Sequence, residues 1–403
     1  MKTTQLHARK RGSALHSAKG AGICLLALSL IALSITAAPK IGKQVLPVVL
    51  ASAGLALPEG GSYLLRSQIE EVQTGELPQN ELPAAVTSSS ATRETTAAQT
   101  EPPAEKASVN FTDTPDDIQK LMDEARQQLK DASHDGKIIT RKYDTSSATA
   151  TYGKVAVQNQ TGQAMDIKTV LSEPVDLKIQ DKSKPTILIY HTHTTESYQM
   201  LDNGWFTNSY QTRSNLEARN MVRVGDEIVA QLEAAGFAVI HDKKIYDATY
   251  NGAYDRSEAA IEAYQKKYPE LQVLLDIHRD AIQTNDTTRI KPTATINGKK
   301  AAQIMIISGC ERGDVTDFPD WEYNLRFATQ LQKICEESYP GLMRPLFFCN
   351  RKYNMHKSHC SLLLEMGSDS NTLDEAAYSG RLLGKALAQL LENYVVTDEP
   401  AAE

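Results

Sequence analysis

The chain has 403 residues, 41% of them apolar and 23% charged, with a net charge of −7. That is enough length and apolar content for one or two globular domains with a real core. The acidic balance argues against a nucleic-acid binder, which ordinarily shows a basic face. Five cysteines without a C-x-x-C pair show neither a zinc ribbon nor a disulfide framework.

Residues 20–38, GAGICLLALSLIALSITAA, carry no charge. As a helix they are about 29 Å long, close to the hydrocarbon thickness of a bilayer. Lys2, Arg9, Lys10, Arg11 and Lys19 precede them, and only Lys40 and Lys43 follow closely. The positive-inside rule makes 1–19 a cytoplasmic basic tail, 20–38 a transmembrane helix and the rest extracytoplasmic. A cleaved signal peptide is the alternative, but Ala37-Ala38-Pro39 is a poor cleavage site and the apolar stretch is long for a signal core. The apolar run 45–57 contains Pro47 and is too short to span. From 76 to 110, Pro, Ser, Thr, Ala and Glu dominate and aromatics are absent, so this part of the linker at 39–111 reads as a disordered tether.

Folded structure is expected from 112. The stretch TDTPDDIQKLMDEARQQL predicts a helix with Thr114 as N-cap and Pro115 at the first position, its apolar residues being Ile118, Leu121, Met122, Ala125 and Leu129. Strand-like pieces KIITRKY, KVAVQNQ and VDLKI follow, making 112–183 a small α+β leader. From 184 to 395 strands and helices alternate: TILIY, a helix over 220–235 ending before Gly236, FAVIHD, SEAAIEAYQKKY, VLLDIH, a hairpin turning at Asn297-Gly298, a helix from FPDWEYN, CSLLLEMG and a closing helix. This predicts an α/β fold, a mixed but mostly parallel sheet with helices on both faces. Residues 396–403 are a tail.

Functional groups in such sheets gather outside the carboxyl ends of strands. Three predicted strands end in metal-type residues: His191, His193 and Glu196 after ILIY, His278 in LLDIHRDA, and Glu365 in LLLEMG. A lone histidine there is more often a hydrogen-bonded structural residue, but three such strand ends together point to a metal site. Zinc takes histidine nitrogens and carboxylate oxygens, with three protein ligands and a water in catalytic sites and a carboxylate nearby as base. The H-E-x-x-H signature is absent. On an extended strand His191 and His193 share a side.

The blocks LIYHTHTTESY, RVGDEIVAQLEAAGFAVIHD, AYDRSEAAI, LLDIHRDA and LLLEMGSDSNTLDEA resemble, in order, those of the stage II sporulation protein P family. These are membrane-anchored cell-wall hydrolases of endospore formers, similar to zinc-dependent N-acetylmuramoyl-L-alanine amidases. The resemblance covers about 184–394. It implies cleavage of the amide between N-acetylmuramic acid and the L-alanine of the stem peptide, association with peptide cross-link cleavage, and stage II sporulation proteins D and M as partners in engulfment. Carried over, His191 and His278 match zinc histidines, and Glu365 matches the catalytic glutamate. The third ligand is Glu196, inside the dense motif, or Glu217, nineteen residues before Gly236. His193 is a ligand or orients its neighbour. Arg279 and Asp280 either orient the ligands or contact substrate, or else form a surface ion pair. His241-Asp242 lines the site or is solvated, and His356 and His359 contact substrate or nothing. Cys310, Cys335, Cys349 and Cys360 read as core hydrophobes, with an unassignable disulfide as the alternative. Rivals are an amidohydrolase barrel, which needs more strand-end histidines than the region offers, a metal-free wall-binding scaffold, and an endopeptidase alone.

Overall fold

The computed structural model describes residues 111–396. The predicted anchor and tether lie outside these residues, as do the basic tail and most of the C-terminal tail. Among the described residues no helix is long and apolar enough to cross a membrane. In chain order the elements are α1 (Asp116–Gln128), β1 (Gly136–Arg141), β2 (Ala150–Tyr152), β3 (Val155–Asn159), α2 (Ile167–Ser172), β4 (Ile187–Tyr190), β5 (Trp205–Phe206) and α3 (Met221–Ala234). There follow β6 (Val239–His241), α4 (Ala253–Lys267), β7 (Val273–Asp280), β8 (Gln283–Asn285), β9 (Thr288–Ile296), β10 (Lys299–Ala302), β11 (Ile304–Gly309), α5 (Trp321–Ser338), β12 (Leu346–Cys349), β13 (Cys360–Ser368) and α6 (Leu373–Glu392).

Eight strands form one sheet in the order β2-β3-β12-β11-β13-β7-β4-β6. A second sheet runs β10-β9-β1-β5, with β8 also on β9. The α/β class holds, but the sheet structure is mixed rather than mostly parallel. In the large sheet β2 meets β3 and β11 meets β13 antiparallel. In the second, only β1 and β9 run parallel. The reason is the connection between neighbours. Asn297 and Gly298, both at positive φ, close the β9–β10 hairpin as predicted, and a tight turn can only return the chain antiparallel. Residues 112–183, read as a leader, supply β1 to the second sheet and β2 and β3 to one end of the large one. The first helix begins one residue later than the capping pattern predicts: Pro115 is its N-cap, without a side-chain cap.

Helices do cover both faces. The period-2 alternation of β4 sends Ile187 and Ile189 into a large core with α3, α5 and α6, and Leu188 and Tyr190 into a smaller one with Ile261 of α4. β7 splits the same way, with Val273, Leu275 and Ile277 in the first core and Leu274 in the second. α3 and α6 come backbone to backbone because Gly380 and Gly384 line the contact. A Cβ at Gly384 would lie 2.7 Å from the Ile228 carbonyl oxygen. α6 starts with a capping box, Thr372 and Glu375 satisfying each other's backbone amides.

Candidate active site

β4, β7 and β13 are parallel neighbours, so their carboxyl ends share one edge of the sheet. Register then sorts the faces. Tyr190 pairs with Asp276, and Glu365 pairs with His278. In-register partners point to the same side, so Asp276, His278 and Glu365 all lie on the α4 face with Tyr190 and Leu274. His191, one residue beyond Tyr190, falls on the α3 face instead. Its Nδ1 is 3.0 Å from the Ile277 carbonyl and its Nε2 is 2.9 Å from His241 Nε2. His241 Nδ1 in turn is 3.0 Å from Asp226, which also pairs with Lys243 at 2.7 Å.

The expected sharing of a side by His191 and His193 therefore fails, because β4 stops at Tyr190. The Thr192 amide and hydroxyl both donate to Asp276, at 2.8 and 2.6 Å, and turn the chain over the edge. His193 thus arrives on the α4 side. It stacks on Tyr250 with centroids 4.6 Å apart, and meets Tyr254 and His278 edge-on at 5.6 and 5.2 Å. The turn continues to Glu196, whose Oε2 lies 3.5 Å from His278 Nδ1 and accepts the Arg279 amide at 3.3 Å. Glu217, the alternative to Glu196, is exposed on a short turn 4.0 Å from Lys243 and stands outside this group.

Arg279 and Asp280 are both buried and do not form a surface pair with each other. Arg279 donates to the carbonyls of Ser197 and Thr212, pinning the long loop after Glu196. Asp280 pairs with Arg344 at 2.9 Å. His356 and His359 pair with Glu258 and Asp176 away from the cluster. Asp242 accepts from Tyr246. Cys310, Cys335, Cys349 and Cys360 are buried and free.

The electrostatics divide the group into unlike members. Burial opposes charge on His278, but Asp276 and Glu196 on either side outweigh it and lift the ring well above the usual histidine range. Burial also opposes charge on Glu196, yet Arg279 and His278 hold it well below the usual carboxylate range. Burial drives His193 down to about 4, and burial with the neighbouring His241 pushes His191 well below normal. Glu365 goes the other way: burial, reinforced by the Asp280 carboxylate, pushes it up to about 8. One carboxyl is thus held ionised and the other near neutrality, the separation that general acid–base chemistry uses.

Three polar atoms in the cluster are buried without an aligned hydrogen bond: His193 Nδ1, His278 Nε2 and Glu365 Oε2. His278 Nε2 does have Asp276 Oδ1 2.8 Å away, a close but bent contact. Even so, among the described residues no group of three or more His, Cys, Asp or Glu side chains is placed so that it could hold a metal ion. The zinc set expected from sequence is divided by the sheet, with His191 on one face and Glu196 and His278 on the other.

Asp276, Tyr250, Tyr254 and the Arg213–Asp247 pair, 2.7 Å apart beside Glu196, were not singled out from the sequence. Asp276 did leave a signal: an acidic residue inside the apolar run VLLDIH must be engaged to be buried there. The tyrosines come from α4 and the loop before it, and only folding brings them to the strand ends.

The family model described as stage II sporulation protein P (SpoIIP) matches residues 65–388. This chain belongs to that family. The chain is 31% identical over 204 residues to stage II sporulation protein P of Bacillus subtilis (strain 168), covering 48% of this chain and 47% of the relative. The match spans about half the length of that curated relative. Among solved structures, the chain is similar to the N-acetylmuramoyl-L-alanine amidase AmiC2 of Nostoc punctiforme, at 12% identity and a TM-score of 0.32, covering 53% of this chain and 98% of that one. It is also similar to the CwlD amidase from Clostridioides difficile in complex with the GerS lipoprotein, at 10% identity and a TM-score of 0.34, covering 52% and 99%. Overlays this loose decide neither the fold nor the chemistry of a SpoIIP chain.

Proposed function

We propose that this SpoIIP protein is a peptidoglycan hydrolase of endospore formation. It cleaves the amide between N-acetylmuramic acid and L-alanine, and peptide cross-links as a second target, in septal wall remodelling and engulfment. The proposal includes a single-pass anchor at 20–38 with a cytoplasmic N-terminus, a catalytic domain at 184–395 outside the membrane, and stage II sporulation proteins D and M as partners. One observation carries it: Glu365, with its pKa near 8, stands in register beside a cationic His278 whose other neighbour is the ionised Glu196.

In this reading Glu365 takes a proton from the water that attacks the lactyl carbonyl and returns it to the leaving L-alanine nitrogen. His278, kept charged by Asp276 and Glu196, sets a positive charge beside Glu365 that favours the negative charge building on the carbonyl oxygen. Arg279 keeps the Glu196 turn in place through Ser197 and Thr212. Zinc belongs to the proposal through the family resemblance alone. The side chains as placed do not fit it, and no step here is routed through it.

Purified sacculi digested by the full chain, with and without a chelator, test the reading. Mass spectrometry of the muropeptides should show lactyl-amide cleavage, and new products at the cross-links distinguish the second target. Metal analysis of the same protein decides zinc, and protease accessibility from each side of the membrane decides orientation. Intact sacculi after incubation with metal-replete protein would overturn the hydrolase reading.

A further inference from the structure

We propose that Asp276 is the positioning residue of this site: it fixes which ring nitrogen of His278 faces the reaction and, through Thr192, aims His193 into the same space. The residue is fully buried in the middle of β7. A carboxylate there is costly unless its oxygens are engaged, and both are. Oδ1 accepts the Thr192 amide at 2.8 Å and lies 2.8 Å from His278 Nε2. Oδ2 accepts the Thr192 hydroxyl at 2.6 Å.

Asp276 Oδ1 and Glu196 Oε2 thus flank the two ring nitrogens of His278, Nε2 at 2.8 Å and Nδ1 at 3.5 Å. The closer contact, to Asp276, decides which edge of the ring turns inward and leaves Nδ1 facing Glu196. A carboxylate behind a histidine is the usual device for fixing its ring orientation. The support extends deeper. Thr192 Oγ1 is 2.8 Å from Ser257 Oγ of α4, and Asn354 Nδ2 donates to that same Ser257 at 3.1 Å and to the Tyr254 carbonyl at 3.0 Å. Asn354 and Tyr353 both sit in the left-handed region, at φ of 60° and 44°. Non-glycine residues are held there only where surrounding contacts demand it. Tyr353 in turn stacks on Tyr254, centroids 5.3 Å apart, and Tyr254 lies parallel to the His278 ring at 6.4 Å. A single buried acid thus links the turn that presents His193, the ring of His278 and the α4 wall of the site.

The inference rests on the proposed hydrolase reading only for its kinetic arm. The structural arm uses the full chain labelled with ¹⁵N at histidine and treated with chelator, and long-range ¹H–¹⁵N spectra of the imidazole rings. Wild type should show one sharp set of His278 ring signals, that of a single fixed ring orientation. Asp276→Ala should shift the His278 ring signals and lower kcat on sacculi by about 10–100-fold with KM nearly unchanged. Asp276→Asn keeps an acceptor oxygen and should restore the wild-type ring pattern and most of kcat. Wild-type ring signals in Asp276→Ala would overturn the inference, whatever the activity. Should Asp276→Ala not fold, Thr192→Val decides, because it removes one anchor of the carboxylate and should still shift the His278 signals; an unchanged ring would again overturn it. Shifted ring signals in a protein whose wild type never cuts wall would sink the hydrolase reading and leave the positioning role standing.

Discussion

Replacing Glu365 by Gln separates two properties of one carboxyl. In the folded chain its pKa is about 8, raised by burial and by Asp280, whereas an unfolded chain has an ordinary glutamate. Between the ordinary pKa and about 8 the native state therefore holds a proton that the unfolded state has lost. Stability falls with rising pH wherever the native state binds more protons. At about 1.4 kcal/mol per pKa unit, the chelated wild-type protein loses on the order of 3 kcal/mol from this group between pH 5 and pH 7.5. Glu365→Gln has no such loss. Its melting temperature should gain on wild type as pH rises, by about 6 °C over that window at roughly 2 °C per kcal/mol for a domain of this size. Scanning calorimetry in chelator at several pH values measures the difference. The same variant should lose about 10²–10⁴-fold in wall hydrolysis, the usual worth of a general acid–base group. A melting difference that stays constant from pH 5 to pH 7.5 would refute the raised pKa and, with it, the reason for choosing Glu365 as the proton carrier.

The two candidate glutamates should part company: Glu196→Gln should abolish hydrolysis, whereas Glu217→Gln, exposed and 4.0 Å from Lys243, should keep full activity and shift stability by less than about 0.5 kcal/mol. Lost activity in Glu217→Gln would return it to the site. Lys291 is buried between Asp202 and Glu375, at 2.7 and 2.8 Å, so Lys291→Met should destabilise by about 3–5 kcal/mol in urea unfolding, since it strands the buried Glu375. Gly384→Ala would bring a Cβ to 2.7 Å from the Ile228 carbonyl oxygen. It should cost about 1–3 kcal/mol by forcing α3 from α6, and an unchanged melting temperature would mean that this contact is looser than described.

Much of the molecule was legible because the signals are local. Apolar runs of strand length alternating with amphipathic stretches marked the strands and helices after 184, and Asn297-Gly298 marked its own turn, since both residues must take positive φ. Residue type alone brought His278, Glu196 and Glu365 forward, and the structure gathers these three at one edge of the sheet.

What the sequence could not decide was which face each residue takes and which strand lies beside which. A strand alternates sides with every residue only while it stays extended, so ending at Tyr190 instead of continuing to His193 moves a histidine across the sheet. That end point is set by Asp276, 84 positions from Thr192 along the chain. The pairing of Glu365 with His278, and of β1 with β9 in a second sheet, likewise joins segments far apart in sequence. Glu365 owes its raised pKa to burial and to Asp280, and His278 owes its charge to two carboxylates from different parts of the chain. Those properties belong to the neighbours that folding supplies. The sequence determined which groups were available for chemistry. The tertiary structure decided which of them meet, because register and burial depend on contacts between residues that local pattern does not connect.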